Sequence, residues 1–586
     1  MEGLLGFTGG EILHRRLIGH GVDHIFGHPK AGALALFRDV YKSTVIRFVP
    51  SRHERGAGHM AEGYAKATRR PGVVFVSTDP SSSNIISPML DGLLDGTPMV
   101  VICGQVPATQ ETNSLQEEKS MERIGACMKW RARVQRLSEL PGAIDAVFLH
   151  ATSKQPGPTL LDISSEIGEA IFDSQALEEL PRVALMVEKV HEKDCIVAPP
   201  IVDARFLYER IFHVADMINQ SRHPVICAGN GVLASARGCT LLSKIAKKAQ
   251  IPVATTLLGL GSFDETREEA LHMIGTYGAP YANCAIQNAD LLIVIGARLD
   301  ERAVGDADGF APKALDREGG GRGIVHFDID AGKLGKVIEP TEIILGDLSE
   351  TLPVLLSFLI PVEDRVRWLD QIQIWKRLYT IEEPTGRAKH RPCPQQVVAE
   401  LNRQTTPMKS SITVTTSVGQ NQMWTSQHFR CTHPHSLITS GSLTTMGFGV
   451  PAAIGAKLAL PDQQVIAVDG DASFCTTMEE LMTALLHQVQ IKVIVFNNRQ
   501  QAILSQLQSA YGAKACCDAR MSPDFDRLAR SMGCQGQRCD RVEELPHAIY
   551  WLLRCRGPAL LDVAIRQPDM VSIAANGTQM DTVAWA

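Results

Sequence analysis

Three doubly wound α/β domains, each built on a parallel sheet, are the fold class the sequence predicts, and three observations carry that expectation. Short β-branched runs that are apolar on both faces alternate with helix-like stretches, the pattern of parallel strands covered on both sides. The 586 residues exceed one domain of roughly 100–200 residues. The pattern also breaks twice: 172–200 is Glu/Lys-rich and ends in Ala198-Pro199-Pro200, reading as a linker, and 363–390 reads as a charged connector. The expected units are therefore 1–175, 200–358 and 390–570, with a C-terminal arm over 571–586.

In the first unit, strands are expected at 45–49, 73–77, 99–103 and 159–163, with a helix rich in small residues opening near Glu54. The second unit carries strand-like runs at 224–228, 252–255, 291–295 and 324–328. The third carries them at 411–414, 464–468, 491–496 and 559–563. In sheets of this kind ligands sit beyond the carboxyl ends of strands, so the residues just after each run are the first candidates for chemistry.

Composition narrows the function classes. Lys+Arg 58 against Asp+Glu 64 gives 58 − 64 = −6, so no global positive field attracts a polyanion, and nucleic acid is not an expected partner. Fourteen cysteines without a C-x-x-C pair suit a reducing compartment. No apolar run reaches the ~20 residues that span a bilayer, so no membrane is expected. Patterned sequence starts at Phe7, leaving no room for a targeting peptide; the expected location is cytoplasmic, or mitochondrial if the sequence is a mature form.

Two constellations stand at strand ends. The first is Asp469-Gly470-Asp471-Ala472-Ser473 after one run and Asn497-Asn498 after the next, with Asp471 and Asn498 lying 498 − 471 = 27 residues apart, enough for one strand-helix-strand crossover. A carboxylate and an amide oxygen give two ligands to a hard cation such as Mg²⁺, while Gly470 and the small Ala472-Ser473 pair let a diphosphate approach backbone N–H groups. An ordinary Gly-Asp turn is the alternative. The second is Arg52-His53-Glu54-Arg55-Gly56-Ala57-Gly58-His59-Met60-Ala61-Glu62-Gly63, in which Glu54 sits where a strand hands over to the helix. A buried Glu54 with a raised pKa could act as general acid/base on a heterocyclic nitrogen; a surface Glu54 paired with Arg52 or Arg55 is the alternative.

Together these segments resemble the thiamine diphosphate enzymes, and more closely the catalytic subunit of acetolactate (acetohydroxyacid) synthase in its fungal form, of which this sequence resembles a divergent paralogue. Further matching stretches run in order: Gly104-Gln105-Val106-Pro107, Leu115-Gln116-Glu117, Gly296-Ala297-Arg298-Leu299-Asp300-Glu301-Arg302, Val418-Gly419-Gln420-Asn421 and Met446-Gly447-Phe448-Gly449. The resemblance implies a carboligase that decarboxylates pyruvate and adds the two-carbon unit to a second 2-ketoacid. Glu54 would exchange a proton with the aminopyrimidine ring of thiamine diphosphate, and Gln116 would face the substrate. Asp471, Asn498 and the Gln500 carbonyl would hold Mg²⁺. Val418, Gly419, Gln420, Asn421, Met446, Gly470, Ala472, Ser473, Gln501 and the apolar Ile503 would surround the cofactor.

The resemblance also implies FAD in a non-redox role in the central unit, at Gly229, Gly231, Thr256, Leu257, Gly275, Gly296, Arg298, Asp300, Arg302, Asp328, Ile329 and Asp347. A vestigial domain whose glycines only make turns is the alternative, and Gln155 for an Arg and Tyr277 for a His depart from the flavin pattern. A homodimer or homotetramer is implied because the glutamate and diphosphate sites come from different subunits in this family, and a regulatory subunit is a further candidate partner. The remaining departures fall in the substrate pocket: Ser81 and Ser82 replace small residues of a Gly-Pro-Gly-Ala-Thr-Asn loop, Leu115 a Phe, Glu301 an Asp, Thr444 a Gly and Leu507 a Trp. They leave two further functions open, an inhibitor-insensitive (self-resistance) synthase copy and a specialised carboligase or 2-ketoacid decarboxylase with a changed substrate. A non-enzymatic scaffold would require a broken Glu54 or metal pair, and neither is broken.

Overall fold

A computed structural model describes residues 2–28, 34–77, 81–105, 124–178, 204–362, 365–379, 390–499 and 522–566. Three six-stranded sheets follow one another along the chain, with every pairing between their strands parallel. The first contains β1 (His24–Gly27), β2 (Arg47–Pro50), β3 (Gly72–Ser77), β4 (Met99–Gly104), β5 (Trp130–Val134) and β6 (Pro158–Ile163), in the order β2-β1-β3-β4-β6-β5. The second contains β7 (Pro224–Ala228), β8 (Val253–Thr255), β9 (Ala270–Met273), β10 (Leu291–Ile295), β11 (Gly323–Asp328) and β12 (Glu342–Leu345), in the order β12-β11-β10-β7-β8-β9. The third contains β13 (Ile412–Thr416), β14 (Leu437–Thr439), β15 (Gln464–Gly470), β16 (Ile491–Asn497), β17 (Gln535–Cys539) and β18 (Ala559–Ala564), in the order β14-β13-β15-β16-β18-β17.

Renumbered within each unit, the first and third sheets have one topology, 2-1-3-4-6-5, whereas the central sheet has the 3-2-1-4-5-6 order of dinucleotide-binding folds. Interior strands such as β3 and β4 are buried along their whole length, which is why they read as continuous apolar runs. Helix Glu54–Thr68 follows β2, and helix Gly449–Ala459 follows its counterpart β14; the two equivalent helices pack on each other. Small residues permit that approach: a Cβ at Gly63 would run into the Ala452 carbonyl, and one at Gly455 into the Met60 carbonyl. One hydrophobic core thus continues from Phe26, Val49 and Val74 of the first unit to Phe448, Val465 and Val495 of the third.

Two features depart from the sequence expectation. The pattern of apolar runs passes over β1, β5, β9, β12, β14 and β17, and all but β1 are edge strands, short and in several cases half-exposed. The stretch expected to be a charged connector contains helix Val366–Leu378, which is a correction. Its Trp368 and Ile372 are buried in the central core, Trp368 Nε1 donates to the Pro224 carbonyl at 3.1 Å, and the buried Arg365 guanidinium donates to the carbonyls of Ile218, Ser221 and Ala249. Charged and polar residues interleave the helix because only one side of it, Trp368 and Ile372 with Trp375 beside them, packs on the core.

Candidate active site

In the third unit β13, β15 and β16 are neighbours, and their carboxyl ends supply the first group of predicted residues. Gly470 pairs with Phe496, so Asp471 and Asn498 emerge just beyond adjacent strands. Asp471 begins helix Asp471–Phe474; its Oδ1 accepts from Ala472 N–H at 2.8 Å and its Oδ2 from Arg499 N–H at 2.7 Å, while burial raises its pKa. Gly447 N–H donates to the hydroxyls of Ser417 (3.1 Å) and Ser473 (2.9 Å), drawing the loop after Met446 against the Asp471 helix. Gly447 (φ +86°) and Gly419 (φ +133°) have backbones that a side chain would strain, and a Cβ at Gly447 would collide with Thr476. Val418, half-buried, precedes that turn. The result is a cradle of hard oxygen and amide donors with glycine at its points of closest approach, a set whose chemistry fits a divalent cation and an anionic ligand.

Individual placements add detail. Gln420 opens helix Gln420–His428 and is buried, as is Asn421. Both amide hydrogens of Asn421 go to the backbone carbonyls of Ser417 (3.1 Å) and Val468 (3.0 Å), so the side chain locks the strand end and turns its Oδ1 toward Gly419 and Gly470. Met446 is exposed at the cradle's rim. Gln500, Gln501, Ile503 and Leu507 lie outside the described residues, as do Leu115 and Gln116.

Glu54 is the first residue of helix Glu54–Thr68 and is 5% exposed, which removes the surface-glutamate alternative. Its Oε2 accepts from Asn84 Nδ2 at 3.0 Å. Asn84 ends the short helix Ser81–Asn84, so the serine-rich segment holding Ser81 and Ser82 is tied to the glutamate. Asn84 is a residue that sequence reasoning missed; its place at the end of the serine-rich loop was the available signal.

Behind Glu54 the same helix carries a buried ionisable cluster that sequence reasoning did not separate from the motif. His59 Nδ1 and Glu62 Oε2 are 2.5 Å apart, Lys66 Nζ donates to Asp95 at 2.7 Å, and Asp91 accepts from Ser440 Oγ of the third unit at 2.7 Å. Burial pushes Glu62 upward, lowers His59 to about 4 and, with the Glu62 and Asp95 charges, raises Asp91 to about 8. Burial acts upward on Asp95 too, but Lys66 outweighs it and holds the carboxyl below its ordinary value. The Lys66–Asp95 ion pair lies within the first unit, and hydrogen bonds join the cluster to the third: Ser440 Oγ to Asp91, Lys66 Nζ to the Thr439 carbonyl at 2.7 Å and Ser442 N–H to Asp95 at 2.9 Å.

The central unit holds a cavity of about 270 Å³ at the crevice between β7 and β10, the point where its strand order reverses. Gly231, Thr256, Leu257, Gly296, Arg298, Asp300, Arg302, Asp328, Ile329 and Asp347 line it, together with Leu94 and Gly96 from the first unit and Met423 and Gly441 from the third. Gly229 and Gly275 do not line it; they pack behind the wall, where a Cβ would strike Gly296 and Ala297, or Arg302. Gln155 and Tyr277 both face the cavity, and so does Lys333, which sequence reasoning missed. Burial lowers the Lys333 pKa, and its ammonium lies 3.8 Å from Asp330. Arg298 donates to the Leu94 carbonyl at 2.7 Å, Arg302 to that of Gly441 at 3.3 Å, so both arginines are pinned by the neighbouring units. Four cations around the crevice, Lys154, Arg298, Arg302 and Lys333, with acids beyond β11 and β12, fit a dinucleotide. Glu301 is exposed and outside this lining.

Family models described as thiamine pyrophosphate enzyme N-terminal TPP binding domain, central domain and C-terminal TPP binding domain match residues 7–124, 211–355 and 417–563. The chain is 42% identical over 575 residues to the mitochondrial acetolactate synthase catalytic subunit of Aspergillus candidus, covering 96% of this chain and 81% of that one. It is 38% identical to the mitochondrial catalytic subunit of Saccharomyces cerevisiae, over 98% of this chain and 83% of the relative. Against the acetolactate synthase isozyme 1 large subunit of Escherichia coli the identity is 33%, over 98% and 97% of the two chains.

Proposed function

The chain belongs to the acetolactate synthase catalytic subunits, and from that premise we propose that it is a thiamine diphosphate-dependent carboligase joining two 2-ketoacids, pyruvate the first of them. The observation that carries the reading is the pairing of a buried Glu54 at one helix start with Asp471 and Asn498 at adjacent strand ends of the third unit. Thiamine diphosphate, when bound, supplies a thiazolium that accepts the electron pair released on decarboxylation. Glu54 holds and moves a proton at the ring nitrogen of the pyrimidine, with Asn84 fixing one of its oxygens. Asp471 and Asn498, with the Gln500 carbonyl, would hold Mg²⁺ for the diphosphate, and the glycine turns at Gly419 and Gly447 would let the backbone approach it. The family resemblance assigns Gln116 and serines 81–82 to the substrate side and Leu115, Glu301 and Leu507 to its access.

FAD is the dinucleotide assigned to the central crevice, where Arg298, Arg302 and Lys333 offset its phosphate charge. A homodimer is the active unit, and the catalytic-subunit name of the fungal relatives supports a regulatory subunit as a further partner. No helix among the described residues is long and apolar enough to cross a membrane. The fungal relatives are named mitochondrial, so cell fractionation distinguishes that location from a cytoplasmic one. Inhibitor insensitivity or a changed substrate gains no support from the comparisons. The test is product analysis: with thiamine diphosphate, Mg²⁺ and FAD, pyruvate alone should give acetolactate and CO₂. Absence of acetolactate, or an aldehyde as the main product, would refute the reading.

A further inference from the structure

The segment that follows Asp471 reaches back to Glu54. Glu480, the first residue of helix Glu480–Leu486, is fully buried, and its carboxylate accepts the backbone N–H of Arg52 at both oxygens (3.1 and 3.2 Å) and that of His53 at Oε1 (3.1 Å). Thr483 Oγ donates to Oε2 at 2.6 Å. These are the two amides immediately before Glu54, at a helix N-terminus whose dipole favours an anion. The neighbouring contacts point the same way: Arg55 donates to the Thr476 carbonyl, and Arg47 of β2 donates to the His487 carbonyl at 2.6 Å. Gly56 is required beneath the carboxylate, since a Cβ there would overlap Glu480 Oε1. A buried carboxylate is costly unless its lone pairs are filled, and here donors from two units fill them.

We propose that Glu480 is a positioning residue for the reaction: from the third unit it clamps the backbone ahead of Glu54 and so sets where that carboxylate meets the cofactor's pyrimidine ring. It also places the metal-binding stretch and the activating glutamate on one mechanical path, Asp471 through Thr476 to Glu480 and on to Arg52–Glu54. The inference rests on the proposed role of Glu54.

The test is exchange of the thiazolium C2 proton of bound thiamine diphosphate in D₂O, read by NMR after acid quench at saturating cofactor and Mg²⁺, with cofactor affinity followed by tryptophan fluorescence. Glu480→Ala should slow exchange roughly 10- to 100-fold, the scale of an ångström-sized misplacement, while affinity stays within about threefold. Glu480→Gln keeps a carbonyl oxygen to accept both N–H groups and should exchange within about fivefold of the parent. Wild-type exchange in Glu480→Ala, or Glu480→Gln slowed as far as Glu480→Ala, overturns the proposal. If Glu480→Ala does not fold, Gly56→Ala displaces the carboxylate with Glu480 retained; slower exchange supports the clamp and unchanged exchange rejects it. Glu54→Gln separates the two levels: wild-type exchange there means the Glu54 reading has failed, whereas slow exchange there beside wild-type exchange in Glu480→Ala means only the Glu480 inference has failed.

Discussion

The first and third units share one strand order, yet they are assigned opposite halves of the chemistry. In each, a helix follows the second strand and a four-residue helix follows the third: Glu54–Thr68 and Ser81–Asn84 in one, Gly449–Ala459 and Asp471–Phe474 in the other. The copy at the N-terminus puts a buried carboxylate, the proposed proton site Glu54, at its long helix and an amide, Asn84, at the short one. The later copy leaves its long helix apolar and puts the carboxylate, Asp471, at the short one, beside the metal-type partner Asn498. On the proposed reading, one scaffold thus yields a proton site or an ion site according to which strand end carries the acid.

That contrast is sharpest at Glu54. Glu54→Gln should lower kcat roughly 10²- to 10⁴-fold, the range for loss of a general acid/base, with cofactor affinity near that of the parent. Asp471→Asn should instead weaken Mg²⁺-dependent cofactor binding by roughly 100-fold, measured by fluorescence titration at graded Mg²⁺. Equal affinity losses in both variants would dissolve the distinction between the copies.

Replacement at the seam should unsettle both copies together. Gly455→Leu forces a side chain into the Met60 carbonyl and is expected to destabilise the chain by about 3 kcal/mol in urea unfolding, with loss of a single cooperative transition.

The ionisable cluster beneath that seam gives the comparison a pH dependence. Asp91 titrates near 8 in the fold because burial and the Glu62 charge disfavour its anion, against 3.8 unperturbed. A folded pKa above the unfolded one contributes stability that is complete below about pH 4 and is lost as pH rises toward 8. Asp91→Asn should therefore flatten the fall in unfolding free energy between those limits, read from denaturant midpoints across pH; an unchanged slope would assign the proton elsewhere.

The smallest effect is expected at Thr444, a β-branched residue held at φ +62° in the loop before Gly447. Thr444→Gly should stabilise the chain by about 1 kcal/mol, measured as a rise in denaturant midpoint.

Much of this molecule was legible in residue order. Buried interior strands announce themselves as apolar runs, and Asp471 and Asn498 are separated by the length of one crossover, so their adjacency follows from parallel topology. Edge strands such as β5 and β17 were not legible, because five residues that alternate buried and exposed, as in β5, or are mostly half-exposed, as in β17, resemble loop sequence. Helix Val366–Leu378 was hidden by its charged face, since a helix needs only Trp368 and Ile372 to dock. The sequence by itself determined the sheet type, the order of the three units and the residue types at the strand ends, because these depend on local periodicity and chain connectivity. Only the tertiary structure decided that Glu54 is buried, that Asn84 and Glu480 hold it and its backbone, and that Arg298 and Arg302 are pinned by neighbouring units. Those partners are contributed by segments tens to hundreds of residues away, and no local pattern encodes which of the buried polar groups will meet once the sheets have packed.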